Sequence, residues 1–156
     1  MPGFVKRSVL FRLSLAFFAV FLGVRWANTQ FTKSNVVGKG NVANRPDTSN
    51  SVSTKTNVTE NHVSPIPLDR PAASASSELV ATIREMPRSR IIKHTNSYIH
   101  AEFRSLLFAF VDDVEIEIDE DEGLIHLRSA SRVGVSDLGV NKIRIAAIRT
   151  RFTSRK

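Results

Sequence analysis

The stretch Val114-Glu115-Ile116-Glu117-Ile118-Asp119 alternates strictly between apolar and acidic side chains. Because successive side chains of a strand point to opposite faces, this pattern predicts a β-strand with one buried face and one acidic face. The following residues are acidic up to Gly123, a glycine that suits the positive φ of a hairpin turn. Residues 124–129 then return as the partner strand, so the centre of the predicted fold is an antiparallel hairpin.

Two more strands are predicted before this hairpin. Residues 89–94 contain two adjacent isoleucines, and residues 98–104 are rich in apolar and aromatic side chains. Asn96 and Ser97 lie between them and favour a turn. Short turns between consecutive strands imply that the whole sheet is antiparallel.

Two helices complete the predicted domain. The first begins at Ser76 or Ser77, whose hydroxyl groups suit an N-cap, and ends near Met86. The second begins near Ser136 or Asp137. Each helix has apolar residues at helical spacing on one face, namely Leu79, Ile83 and Met86, and Ile145, Ile148 and Phe152. The predicted fold class is α+β, with a small antiparallel sheet of about four strands and helices packed on one face.

The N-terminal residues have a basic stretch followed by an apolar run. Lys6, Arg7 and Arg12 precede residues 13–24, which are all apolar or small, and Arg25 ends the run. This arrangement is typical of a secretory signal. Twelve helical residues span about 18 Å, which is less than the bilayer core of about 30 Å.

Extension of the apolar run back to Val5 gives a helix of about 20 residues, which would suit an uncleaved anchor. A helix buried in a soluble domain is disfavoured because the run is apolar on all faces. Residues 1–27 are therefore predicted to be a signal peptide or membrane anchor, and residues 5–27 to contact the membrane or the export machinery. The predicted location is the membrane or an exported compartment, which in a bacterium is the periplasm or cell envelope.

The net charge of +7 does not indicate a nucleic-acid partner. Six of the 22 basic residues lie within residues 1–40, where no acidic residue occurs. The rest of the chain is therefore almost neutral and lacks a basic face of the kind that binds nucleic acid.

Between the leader and the domain the composition changes. Residues 28–77 are rich in Ser, Thr and Asn, contain four of the six prolines and lack apolar periodicity. This composition predicts a flexible linker, although part of residues 46–70 can pack on the domain. The domain itself is assigned to residues 78–156.

No catalytic or cofactor-binding signature is visible. The chain has no cysteine, which excludes disulfides, thiolate metal sites and a cysteine nucleophile. His100 and Glu102 alternate on one face of a predicted strand but lack a third ligand at a recognisable spacing. The acidic run from Asp119 to Glu122 lacks the ligand spacing of a calcium loop. We therefore expect neither a metal nor a cofactor.

One polar cluster is a candidate site. Asp112 and Asp113 precede the central strand, and a loop of small residues with two arginines follows its partner. Such a loop can hold an anion with backbone N–H groups and guanidinium groups. The candidate ligand-binding residues are Arg104, Arg128, Arg132 and Asn141. Asp112 and Asp113 are weaker candidates for a catalytic carboxylate. The alternative is an internal network of arginines and aspartates that only fixes the loop.

Three stretches together resemble the bacterial and plastid family called domain of unknown function 1499. They are Tyr98-Ile99-His100-Ala101-Glu102-Phe103-Arg104, then Phe110-Val111-Asp112-Asp113-Val114-Glu115, and finally Arg128-Ser129-Ala130-Ser131-Arg132-Val133-Gly134 with Asp137-Leu138-Gly139-Val140-Asn141. The resemblance covers about residues 46–150. It implies a fold and an exported or membrane-associated location, but no reaction.

One position departs from the family pattern. Ser49-Asn50-Ser51-Val52-Ser53-Thr54 stands where the family motif resembles Pro-Asn-Cys-Val-Ser-Ser, so Ser51 replaces a cysteine. Any role that the resemblance gives to that thiol cannot operate in this chain.

Two functional hypotheses follow. The first is a noncatalytic binding or structural module of the cell envelope that recognises a small anionic ligand or an envelope protein. The second is an enzyme in which Asp112 or Asp113 acts as a base while Arg128 and Arg132 stabilise negative charge.

Overall fold

The computed structural model describes residues 3–31, 42, 48–134 and 136–155. Within these residues there are three α-helices, six β-strands and a short 3₁₀ helix at Thr59–Asn61. The α-helices are α1 (Gly3–Phe31), α2 (Ala72–Arg84) and α3 (Val140–Thr153). The strands are β1 (Ser51–Ser53), β2 (Ile66–Pro67), β3 (Ser89–His94), β4 (Tyr98–Arg104), β5 (Val111–Asp119) and β6 (Leu124–Ser131).

The sheet is antiparallel throughout, with the strand order β1-β6-β5-β4-β3 and β2 paired to the same edge of β6 as β1. The predicted hairpin lies at its centre, where Ile116 pairs with Leu127 and Ile118 with Ile125. Gly123 has a φ of 64°, the left-handed conformation that the turn requires.

The apolar face of the sheet packs against α2 and α3. Alternate residues of β4, β5 and β6 point into this core, which also contains the predicted helix residues Leu79, Ile83, Ile145, Ile148 and Phe152. Each of these five side chains is buried because the helical spacing places it on the face that meets the sheet. The predicted α+β class and the one-sided helix layer are confirmed.

The sheet is larger than the predicted four strands. β1 and β2 come from residues 51–67, which the composition assigned to a linker, and both pair with β6. Three-residue and two-residue strands are too short to show a periodic pattern. They form because the backbone of β6 offers an unpaired edge to them.

Two boundaries also differ from the prediction. α2 begins at Ala72 with Pro71 at the N-cap, so Ser76 lies inside the helix. Its hydroxyl donates to the carbonyl of Thr95 instead of capping the helix. α3 begins at Val140 with Gly139 at the N-cap, so the prediction that it begins near Ser136 or Asp137, with one of them as the cap, is wrong. The Asp137 carboxylate instead accepts the N–H groups of Gly139 and Asn141 from outside the helix.

α1 is a single apolar helix that is largely exposed. Residues Leu10–Thr29 form a stretch of 20 residues with a mean hydropathy of 1.6, long enough to cross a membrane. Its C-terminal part contacts the loop between β4 and β5. Arg25 donates to the carbonyls of Leu106 and Leu107, and Asn28 donates to the carbonyl of Phe108.

Candidate functional site

The face of the sheet that turns away from α2 and α3 carries most of the ionisable residues of β4, β5 and β6. The core-facing residues of β4 are Ile99, Ala101 and Phe103, so the alternate residues point to the other side. We call this other side the polar face. Its polar residues include Tyr98, His100, Glu102, Arg104, Asp113, Glu115, Glu117, His126 and Arg128, together with Arg132 just after β6.

Arg132 lies at the centre of one network on the polar face. Its Nε is 2.8 Å from Asp113 Oδ2, and its Nη2 is 2.8 Å from Asp113 Oδ1 and 2.5 Å from Glu102 Oε1. His100 Nε2 lies 2.8 Å from the same Asp113 Oδ1. Glu102 and Asp113 are directly opposite each other in the β4–β5 ladder. A single guanidinium group therefore bridges two carboxylates that would otherwise repel each other.

This geometry changes the pKa values of both partners. Burial would raise the pKa of Asp113, but hydrogen bonds from Arg132 and His100, with the attraction of the same two groups, outweigh burial and lower that pKa. The pKa of Arg132 is raised, first by its hydrogen bond to Asp113 and then, against the cost of burial, by Glu102. Asp113 is therefore held as a carboxylate.

A second group on the polar face surrounds Glu115, which is fully buried. The Tyr98 hydroxyl donates to Glu115 Oε1 at 2.6 Å, and Arg128 Nη1 lies 3.6 Å from Oε2. Glu115 and Arg128 are opposite each other in the β5–β6 ladder, so the sheet register itself brings the two charges together. Val42 is also buried on this face, and its N–H donates to Glu117.

Arg104 is the least satisfied arginine of the polar face. Its Nη2 lies 3.5 Å from Glu102 Oε2, which is at the limit of a hydrogen bond. Its Nη1 is buried and has no hydrogen-bond partner in the described part of the chain. The side chain is about one third exposed, so it lies at the rim of the network and not inside it.

The opposite side of the sheet contains a separate polar cluster, which we call the helix-side cluster. Asn141 Nδ2 donates to the carbonyl of Asn50 at 2.9 Å, and Asn141 Oδ1 accepts from Ser129 and Arg144 at 2.5 Å each. Arg144 also donates to Asp112 Oδ2 at 2.6 Å. The cluster joins the start of α3 to β5, β6 and the residue before β1.

The structure therefore divides the predicted site between two faces. Arg104, Arg128 and Arg132 share the polar face, whereas Asn141 lies on the helix side. Asp112 and Asp113 are likewise separated, since both belong to β5 and adjacent strand residues point in opposite directions. Asp113 pairs with Arg132, and Asp112 pairs with Arg144.

Sequence reasoning missed three members of these clusters. Arg144 lies three residues after Asn141 on α3, and this spacing places both on one side of the helix. Glu115 was predicted to lie on an acidic face, with no partner named. The register of the hairpin places it directly across from Arg128. Asn50 belongs to the stretch that resembles the family motif, and it also donates to the carbonyl of Gly134 at 2.7 Å.

Ser51, which replaces the family cysteine, is buried beside this cluster. Its hydroxyl donates to the carbonyl of Thr48 at 2.8 Å and accepts the N–H of Thr48 at 3.2 Å. Both contacts stay within the turn that leads into β1, so Ser51 closes this turn.

One group of described residues has the composition of a metal site. Asp119, Glu122 and His126 place ligand atoms within 4.8 Å of one another. His126 belongs to β6 and joins this group because β6 returns beside β5. The spacing of the residues in the sequence did not predict this. Both its ring nitrogens have polar neighbours, Glu122 at 2.8 Å and Thr54 at 3.1 Å. Hydrogen bonding within the turn thus accounts for the arrangement.

An open cleft of about 460 Å³ lies between α3 and residues 62–64. Its charged or titratable lining residues are His62, Lys142 and Arg149, and none of the described residues that line it is acidic. Arg149 is engaged, because it donates to the carbonyls of Ser64 and Pro65. Lys142 is exposed at the start of the helix.

No curated protein matches the chain significantly. Residues 41–152 match the model of a family that is described as protein of unknown function (DUF1499). The matched range contains the whole sheet, α2 and nearly all of α3, together with both polar clusters. Because this range is well over half of the sequence, the chain belongs to the DUF1499 family, as its three motifs predicted.

Proposed function

We propose that this protein is a noncatalytic binding module that α1 holds at the cell envelope, and that it recognises a small anionic ligand or an anionic group of a partner protein. The observation that carries the proposal is the way the charged side chains of the polar face are paired. The carboxylates of this face and two of its arginines pair with one another, whereas the side chain of Arg104 at the rim is about one third exposed and has, among the described residues, only a long contact to Glu102.

The same pairing of charges argues against the hypothesis that the protein is an enzyme. A general base needs access to its substrate and a pKa near the working pH. Asp113 is buried against Arg132 and His100 with a lowered pKa, and Asp112 is bonded to Arg144 on the helix side. Arg128 and Arg132 already neutralise Glu115 and Asp113, so neither is available to stabilise a new negative charge.

Arg104 is suited to an anion for a geometric reason. The Arg132 network fixes Glu102, which in turn lies beside the Arg104 guanidinium group. A guanidinium group presents two parallel N–H donors to a carboxylate or phosphate, and it gains most where its other contacts are weak. The network thus serves as a rigid support, and Arg104 as its contact to the ligand.

The contacts of α1 support a retained anchor over a cleaved leader. Cleavage after Ala27 would remove Arg25, which donates to two carbonyls of the β4–β5 loop, and Phe21, whose ring lies 5.9 Å from that of Phe108. The exposed stretch of 20 residues spans about 30 Å as a helix, which matches the bilayer core.

The ligand proposal is tested by thermal unfolding of the full chain in detergent, with inorganic phosphate and acetate as separate probes. We expect one of these anions to raise the Tm of the wild type and to lose that effect in Arg104→Gln, because binding to the folded state stabilises it. Arg84→Gln is the matched control, since Arg84 is an exposed arginine at the end of α2.

Lys142→Gln locates the ligand. A phosphate effect that survives in Arg104→Gln but is lost in Lys142→Gln would assign the ligand to the cleft beside α3 and not to the polar face. A wild-type Tm that neither anion changes contradicts anion recognition altogether. The anchor is tested separately by mass spectrometry of the protein from its host membrane, where an N-terminus at residue 28 would contradict it.

A further inference from the structure

One end of the sheet carries most of the exposed apolar surface of the domain. Outside α1, eight of the ten exposed large hydrophobic residues that the structure describes lie there. They are Leu106, Leu107, Phe108, Phe110, Val133, Leu138, Val140 and Ile143. We call this surface the apolar end.

The sheet register explains why these residues form one surface. Arg104 pairs with Val111, so residues 105–110 form the loop at this end of β4 and β5. Asp112 pairs with Ser131, so the segment after β6 leaves from the same end. This segment leads to Leu138 and into the first turn of α3, which contains Val140 and Ile143.

The apolar end is also where α1 meets the domain. The Phe21 and Phe108 rings pack edge to face at 5.9 Å, and Phe108 in turn lies 5.6 Å from Phe110. Phe21 precedes Thr29, the end of the apolar stretch, by eight residues, which is about 12 Å along a helix. With α1 in a bilayer, the loop that touches Phe21 would therefore lie at the depth of the lipid and not above it.

The backbone of these loops places the apolar side chains outward. Leu138 has a φ of 53°, a left-handed conformation that disfavours leucine, and it is 91% exposed. A soluble surface would favour glycine or asparagine at such a position. Two exposed basic residues lie at the same end, since Arg88 accepts the N–H of Arg104 and Lys142 belongs to the first turn of α3. Apolar loops edged by basic side chains suit the surface of an anionic bilayer.

We infer that the apolar end inserts into the lipid surface beside α1, with the β4–β5 loop and the loop before α3 as the two inserting segments. The domain is thereby held with one sheet end against the membrane. The hairpin tip at residues 119–123 points the opposite way because β5 runs from the apolar end to that tip. This inference rests on the proposed membrane anchoring of α1.

The natural absence of cysteine makes a direct test possible. The full-length single-cysteine variants Leu107→Cys, Leu138→Cys, Asp121→Cys and Phe17→Cys are labelled with a nitroxide. They are reconstituted into vesicles of phosphatidylcholine and phosphatidylglycerol. Accessibility of each label to oxygen, which enters lipid, is compared with accessibility to a water-soluble nickel chelate. Circular dichroism checks that each labelled variant is folded.

We expect labels at positions 107 and 138 to favour oxygen and the label at Asp121, on the hairpin tip, to favour the nickel chelate. Labels at 107 and 138 that favour the chelate overturn the inference. Labels at these positions that are shielded from both reagents also overturn it, since they would indicate cover by protein. The label at Phe17 reports on the anchor independently, so failure of the anchor and failure of loop insertion give different results.

Discussion

Arg132 and Asp113 form a two-bond ion pair, in which Nε lies 2.8 Å from Oδ2 and Nη2 lies 2.8 Å from Oδ1. The pair joins the residue after β6 to the third residue of β5, at the end of the sheet where α1 also makes its contacts. Because both groups are buried, loss of either one removes two hydrogen bonds that water is not there to replace, and Arg132 then keeps Glu102 and Asp113 keeps His100.

The first prediction concerns the carboxylate of this pair. Asp113→Asn should lower the free energy of unfolding by about 3 kcal/mol at neutral pH, because the buried Arg132 guanidinium loses the carboxylate with which it makes two hydrogen bonds. Since the pKa of Asp113 is lowered in the folded state, its stabilising effect is present above the unfolded pKa, which is about 4, and is lost as pH falls through the folded pKa. The difference between variant and wild type should therefore shrink below about pH 4.

Urea unfolding in detergent between pH 7 and pH 2.5, about the range over which an aspartate titrates, measures this difference. Asp121→Asn is the control, because Asp121 is exposed on the hairpin tip and should change stability little at any pH. If the loss of unfolding free energy in Asp113→Asn stays constant from neutral to acidic pH, the ion pair is not the cause of that loss.

The second prediction concerns the helix-side cluster. Asn141→Ala removes a donor from the carbonyl of Asn50 and an acceptor from Ser129 and Arg144. Buried groups that lose partners cost about 1–3 kcal/mol, so we expect a total loss of about 3 kcal/mol. The amides of β1 should also exchange faster with solvent, because Asn141 ties the residue before β1 to α3.

Hydrogen exchange and urea unfolding both check this prediction. Asn57→Ala is the matched control at an exposed position. Equal exchange rates of β1 in Asn141→Ala and in the control would mean that the pairing of β1 with β6 holds the edge strand without help from α3.

The third prediction restores the family residue at position 51. Ser51→Cys should cost about 1 kcal/mol, because a thiol is a weaker hydrogen-bonding group than the hydroxyl that now closes the turn to Thr48. Ser51 is only 3% exposed, so the new thiol should react with a soluble thiol reagent far more slowly in the folded protein than in urea.

Ser74→Cys serves as the exposed comparison, since Ser74 lies on the outer face of α2. Reaction of the thiol at position 51 as fast as the thiol at position 74 would place residue 51 on an accessible surface and contradict the structure of this turn.

The sequence by itself determined the elements whose pattern is local. The two-residue period of 114–119 defines β5 and its buried face, and the helical spacing of Ile145, Ile148 and Phe152 defines the inner face of α3. The apolar run at the N-terminus likewise defines α1. In β5 and α3 the side chains that share an environment are a few residues apart, so their spacing alone identifies the face that is buried.

Only the tertiary structure decided which charges meet. Asp112 and Asp113 differ in face and partner because β5 begins at Val111, and a boundary three residues later would have left both in a loop. Arg144 reaches Asp112 across 32 positions, and Asn141 reaches Asn50 across 91. β1 and β2 exist because β6 has a free edge for them. Contacts over such separations depend on sheet register and helix placement, which no local pattern of residues contains.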